Sequence, residues 1–329
     1  MVKKSLSDTI NSLCSKLSLG LPQTIIPITN IESEVLYYRV TTSKSIYLIE
    51  KFNYNKEQIK ELKNKIRVGE ELKTTANIVS PLVYQDKKLI KHKGSHYIVF
   101  DIKELTLQQK EEMTKEKIKK IANLLAKIHK SDITSDIPSY YHKVEMDFDK
   151  LLNKLKKTKS STYKLVYDNI FTLKDIVYKC NNSLQYLERN LTLDIGNYEI
   201  NKILWKKEEP FIYDLSSVTF INPASSVCTT SFYYSLENNE LNYDYYKLFM
   251  KEYIKEYGLL KVDYKDSLYV GLINELDRID RISQKLNFIS NKIEIDQINK
   301  HVTELLIYYN NINKMNETYL KIISKNNKN

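Results

Sequence analysis

Hydrophobic and polar positions change period once along this chain. Residues 25–50, "IIPITNIESEVLYYRVTTSKSIYLIE", alternate and are rich in Ile, Val, Tyr and Thr, with "TTSKS" as a polar turn. This pattern predicts a β-hairpin. In "NKEQIKELKNKIRVGEELKTT", Ile59, Leu62, Ile66 and Leu72 fall at helical spacing and predict a helix over 55–75. "VSPLVYQDKKLIKHKGSHYIVFDI" then predicts two or three short strands, broken by Pro81, "QDKK" and "KHKGSH". From residue 110 the period lengthens: "TKEKIKKIANLLAKIHKSD" sets Ile118, Ile121, Leu125 and Ile128 on one stripe, and amphipathic helices continue over 145–190. A β-like island, "NKILWKKEEPFIYDLSS", interrupts them, and the segments after it again read as helices. There is no internal repeat.

The expected class is therefore α+β: an N-terminal helix at 1–20, a small β-rich lobe at 21–102, and a helical lobe at 103–329 that carries the island at 191–217. A chain of 329 residues, 42% hydrophobic, can bury a sizeable core. No apolar run reaches the roughly 18 residues of a membrane span. The start "MVKKSLSDTINSLCSKLSLGL" is interrupted by Asp8, Asn11 and Lys16, unlike a signal peptide. The expectation is a cytoplasmic protein with no membrane partner. A net charge of +10 raises the question of nucleic acid, but only five of the 51 basic residues are Arg and the Lys are interleaved with acids. That balance argues against a nucleic-acid partner. Cys14, Cys180 and Cys228 have no paired spacing and read as packing residues.

Chemistry concentrates in residues 195–205, "IGNYEINKILW", followed by "FIYDLSS". With the β-rich lobe and its helix, the helical lobe and this island, the chain resembles the two-lobed protein-kinase-like fold, and in detail the aminoglycoside phosphotransferase and choline kinase family. That family's catalytic loop reads His-Gly-Asp-Leu-His-Pro-x-Asn-Ile-Leu-Trp, and a strand ending Ile-Asp-Trp-Glu follows. Gly196, Ile203, Leu204, Trp205 and Asp214 stand where its counterparts stand. "LLAKIHKSDI" and "INPASSVCTTSFYYS" are similar to flanking family segments, so the resemblance covers roughly 25–255.

The polar positions depart from it. The resemblance puts Asn197 in the place of the catalytic Asp and Lys202 in the place of the Asn that holds Mg²⁺. An amide cannot serve as a carboxylate base, a loss of about 10²–10⁴ in rate. A like-charge pair about 4 Å apart costs about 4 kcal/mol at an effective dielectric of 20, and a divalent ion doubles it. Asp214 keeps the second metal position, or simply caps a buried strand. At the phosphate-reaching lysine the resemblance places Glu50, with Lys51 on the opposite face unless a bulge restores it. Glu32 and Glu34 occupy the phosphate loop.

Taking Asp194 as base and Glu199 as metal ligand would shift "ILW" three residues out of place. Glu61, Glu70 and Glu71 compete for the helix glutamate that pairs with the strand lysine, a pair that Glu50 would make repulsive. His129 is either an active-site edge or a packed helix-end histidine, and His92 and His96 flank a hairpin turn.

These departures imply a pseudokinase that acts by binding a small molecule or a protein, with no cofactor. A Lys202–Asp214 ion pair is expected to stand in for Mg²⁺, and Asn197 is expected within roughly 11 Å, two helical turns, of Asp214. The layout also resembles that of spore-coat proteins with this fold. The alternative is an active phosphotransferase using ATP and Mg²⁺ on an amino-sugar, choline-like or sugar hydroxyl, with Lys51, Asp214 and Glu199 in unusual roles.

Overall fold

The computed structural model describes residues 2–28, 35–107, 113–158, 160–196, 202–286 and 292–326. The chain begins with α1 (Val2–Lys16), β1 (Pro22–Ile28), β2 (Leu36–Thr42), β3 (Ile46–Phe52), α2 (Lys56–Glu71), β4 (Ile90–His92), β5 (Ser95–Asp101) and β6 (Thr106–Leu107). Next come α3 (Lys115–His129), α4 (Phe148–Lys156), α5 (Ser161–Asp168), α6 (Ile170–Leu187) and β7 (Thr192–Asp194). The strand pair β8 (Ile203–Lys206) and β9 (Glu209–Ile212) precedes β10 (Thr219–Ile221), α7 (Pro223–Ser235), β11 (Leu236–Glu237) and β12 (Glu240–Leu241). Four helices follow: α8 (Tyr243–Tyr257), α9 (Tyr264–Val270), α10 (Ile273–Lys285) and α11 (Lys292–Asn326). Among the described residues no helix is long and apolar enough to cross a membrane.

Two units result, Met1–Lys110 with Ile200–Ser217, and Glu111–Glu199 with Val218–Asn329. The expected island at 191–217 is thus divided. Its strand pair joins the first unit because β8 pairs with β6, and Leu204 and Tyr213 pack with the first unit's core.

The first unit is built on an antiparallel sheet of order β1-β2-β3-β5-β4. The hairpin expected over 25–50 divides: its later part forms β2–β3 about the "TTSKS" turn, while Ile25–Ile28 belong to β1, a third strand paired to β2 with Ile25 opposite Val40. Alternation along β3 sends Leu48, Glu50 and Phe52 to one face and Tyr47, Ile49 and Lys51 to the other. The first face packs on Ile59, Leu62 and Ile66 of α2. The second packs on Ile10, Leu13 and Cys14 of α1. A capping box starts α2: Asn55 accepts from the Gln58 backbone N–H and the Gln58 side chain accepts from that of Asn55.

Gly69, in the last turns of α2, gives Leu215 the room to approach. A Cβ there would lie 2.5 and 2.8 Å from the two δ-methyls of Leu215. Glycine to alanine inside a helix ordinarily stabilises by about 1 kcal/mol, but overpacking costs about 1–3 kcal/mol. Gly69→Ala is expected to lower the stability of the first unit in denaturant unfolding, and a gain would show that Leu215 moves aside freely.

In the second unit the Ile118, Ile121, Leu125 and Ile128 stripe of α3 is buried, as its spacing predicted. Helix α3 packs against α8, and α10 against α11. Asn222 caps α7 and Pro223 occupies its first turn, where a missing N–H costs nothing. β10 pairs with β7, which places Asp194 opposite Thr219.

Candidate functional site

Four side chains of the first unit converge beneath the sheet. Tyr37 and Glu50 are cross-strand neighbours on β2 and β3 and so share a face. Lys202 directly precedes β8 and Asp214 follows β9, so the two ends of one short hairpin bring them together. Lys202 Nζ lies 3.4 Å from Asp214 Oδ2 and both residues are buried. The same ammonium sits over the Tyr37 ring, 3.9 Å from its centroid, in a cation–π contact.

Asp214 is saturated with donors. Its Oδ1 accepts from the Ser216 N–H at 3.1 Å and the Ser216 hydroxyl at 2.6 Å, and its Oδ2 accepts from the Tyr37 hydroxyl at 3.2 Å and the Ser217 hydroxyl at 3.3 Å. Lys65 of α2 holds the Ser216 carbonyl at 3.1 Å. Burial alone would raise the Asp214 pKa, but Lys202 and the hydrogen bonds from Ser216 and Tyr37 outweigh it and hold the carboxyl below its ordinary value.

Glu50 is the opposite case. It is fully buried and neither carboxyl oxygen has a hydrogen-bond partner among the described residues. Burial, then the Asp214 charge, push its pKa well above the ordinary glutamate value, and Lys202 offsets this only in part. The physical consequence is a neutral carboxylic acid beside one ion pair, since an isolated buried carboxylate is too costly to keep. Burial and the same carboxyls also raise the pKa of Tyr37 and Tyr213 well above the phenol range.

The donor set does not fit Mg·ATP. A divalent ion on Asp214 would meet the Lys202 ammonium at a few ångströms, and β3 presents a neutral carboxyl, not a cation, on its Glu50 face. Lys51 lies half-buried across from Leu36 and Tyr97, on the face opposite Glu50. The three candidate helix glutamates bond elsewhere: Glu61 to Lys65, Glu70 to Lys73 and Lys88, Glu71 to Arg67. His92 and His96 flank the β4–β5 turn, where Lys93 and Gly94 take positive φ. Asn197, Glu199, Glu32 and Glu34 lie outside the described residues.

The second unit has its own polar centre. His129, at the end of α3, is buried with Nε2 2.8 Å from Asp194 Oδ2 and Nδ1 2.7 Å from the Tyr253 hydroxyl. Asp194 also accepts from the Gly196 N–H, so one carboxylate ties α3 to the turn after β7. A cavity of about 50 Å³ beside it is lined by Asp194, Thr229, Tyr233, Asn274 and Arg278. Among the described residues, one group has metal-ligand spacing, Glu275, His301 and Glu304, with its ligand atoms within 4.8 Å of one another. Glu275 is already engaged, however, by Arg278 at 2.8 Å, His301 at 2.7 Å and the Tyr233 hydroxyl, which makes the group a buried ion-pair network. No sequence signal pointed to it, because its members are 26 and 3 residues apart on two helices.

No family model matches the sequence. No curated protein matches it either. Solved structures do match over most of the chain. Spectinomycin phosphotransferase APH(9)-Ia, in complex with ADP and spectinomycin, superposes with a TM-score of 0.64 at 12% identity, covering 91% of this chain and 98% of that one. Choline kinase LicA from Streptococcus pneumoniae gives 0.57 at 10% identity, covering 92% and 99%. A microcompartment-associated aminopropanol kinase gives 0.60 at 10% identity, covering 89% and 93%. At these identities the likeness fixes the fold, and the fold is the kinase-like one that the "KILW" and "IYDLSS" spacing suggested.

Proposed function

We propose that this chain, which has the fold of aminoglycoside phosphotransferases and choline kinases, works by binding a small molecule or a protein partner and does not transfer phosphate. The observation that carries the reading is the Lys202–Asp214 pair, 3.4 Å apart and buried. By the resemblance it puts a fixed ammonium where a kinase of this fold holds Mg²⁺. Glu50 supports it, since a neutral acid without partners stands where the family has a phosphate-reaching lysine. Phosphoryl transfer depends almost wholly on positioned charge, and by the resemblance this chain has an acid at the strand lysine's position and an ammonium at the metal's.

Isothermal calorimetry with Mg·ATP tests this. The expected result is no saturable heat up to about 1 mM nucleotide, a dissociation constant worth only about 4 kcal/mol. Micromolar affinity would overturn the reading and favour an active phosphotransferase.

A further inference from the structure

The net charge that looks evenly spread along the sequence is not evenly spread in the fold. The first unit holds 21 Lys and Arg against 14 Asp and Glu, while the second holds 30 against 27. Part of that excess gathers on a groove of about 660 Å³ between the end of α1, one side of α2 and the β4 edge of the sheet. Lys63, Lys87 and Lys91 stand exposed around it, and among the described residues none has a carboxylate partner. Two acids line it: Glu70 is already engaged by Lys73 and Lys88, and Asp86 stands exposed beside Lys87, against six Lys and Arg in the lining. Lys16 reaches across to the Lys91 carbonyl at 3.0 Å and lies over the Tyr84 ring.

The groove has an apolar side as well. Ile66 and Leu89 line it, and Val83 is 59% exposed beside the turn at Gln85 and Asp86, both of which have positive φ. His92 and His96, on the adjoining hairpin, titrate below the ordinary range through burial first, and then through Lys16 and Lys93 for one and Lys91 and Lys63 for the other.

We propose that this groove is a docking site for an acidic peptide segment carrying an apolar anchor residue, supplied by a protein partner. Unpaired lysines offer mobile point charges that suit carboxylates. The one arginine, Arg67, has its fork taken up by Glu71 and Asn64, so bidentate phosphate recognition is not prepared. An apolar floor within a charged rim is the arrangement in which a buried anchor dominates binding and rim charges steer it. Nucleic acid would call for aromatic stacking surfaces, and Tyr84 already serves Lys16. The competing role for edge lysines is to keep strands of other molecules away. The proposal is independent of whether the protein binds nucleotide, so the two can fail separately.

The test is fluorescence anisotropy with a fluorescein-labelled acidic decapeptide, alternating Glu and Asp around a central Phe-Leu pair. The full chain should bind it saturably, more weakly as salt rises, and more tightly than the same peptide with Gly-Ser in place of Phe-Leu. Lys63→Glu, Lys87→Glu and Lys91→Glu together should weaken binding about tenfold or more, since three exposed pairs are each changed from attraction to repulsion. Lys127→Glu, Lys164→Glu and Lys251→Glu together, exposed positions of the second unit, should leave it near wild type. No saturable binding, equal affinity for the Gly-Ser peptide, equal loss in the control triple variant, or tighter binding to oligouridylate or to phosphatidylserine vesicles would each overturn the proposal. The peptide comparison uses the wild-type protein and stands even if a variant misfolds.

Discussion

Lys202→Met should lower the stability of the first unit by about 3–5 kcal/mol, the cost of leaving a buried charge without its partner. Methionine fills a similar volume, so little of the loss is a cavity. The ammonium is 3.4 Å from Asp214 Oδ2 and 3.9 Å from the centre of the Tyr37 ring, and both contacts vanish together. Without it Asp214 faces a second buried carboxyl, Glu50, with no cation between them. Lys202→Met with Asp214→Asn should recover part of the loss, because the serine and tyrosine donors around Asp214 can still bond an amide oxygen. Urea unfolding of the wild type and both variants measures this. A single variant as stable as wild type, or a double variant less stable than the single, would show that the pair does not hold this hairpin in place.

Glu50→Gln should remove a pH dependence from the protein's stability. The Glu50 carboxyl has its pKa raised by burial and by Asp214, so the folded state keeps a proton that the unfolded chain releases above about 4.3. Below that value its contribution is fully present. As pH rises towards the folded pKa, the contribution is lost at about 1.4 kcal/mol per pH unit. Asp214 works in the other direction: its pKa is lowered in the fold, so its stabilisation is present above about 3.9, the unfolded value, and is lost as pH falls through the folded one. The two groups therefore act in separate windows, and the Glu50→Gln difference can be read from pH 5 upward without interference from Asp214. Unfolding free energies of wild type and variant should diverge steadily with pH in favour of the variant. Parallel curves would mean that Glu50 is charged in the fold.

Much of this was legible in the residues themselves. The hairpin of β2 and β3, the stripe of α3 and the β8–β9 strand pair follow from local periodicity, and the Lys202–Asp214 pairing is what the resemblance to the kinase family implied. Alternation along β3 placed Glu50 and Lys51 on opposite faces. It could not supply what covers each face, and Glu50 becomes a neutral acid only because α2 and the β8–β9 hairpin close over it. The first part of the span that alternation reads as one hairpin is a separate strand, β1, since no local signal says where one strand stops and which neighbour it takes. His129 had two readings, and its partners Asp194 and Tyr253 are 65 and 124 residues away. The basic groove was hidden for a different reason: its lysines come from the end of α1, from α2, from the turn before β4 and from β4 itself, and only folding gathers them.

Trp205 is the chain's single tryptophan, wholly buried in β8, three residues from Lys202. Indole emission, excited on the red side of tyrosine absorption, therefore reports the surroundings of that one strand. Far-ultraviolet dichroism is weighted towards helices, most of which lie in the second unit. The molecule thus carries two optical channels with different addresses, and no dye is needed to separate them. If the units melt together, the two signals trace one curve. If they melt apart, a change near β8 moves the emission transition and leaves the dichroic one behind, so the pattern of displacement reveals how far the halves depend on each other.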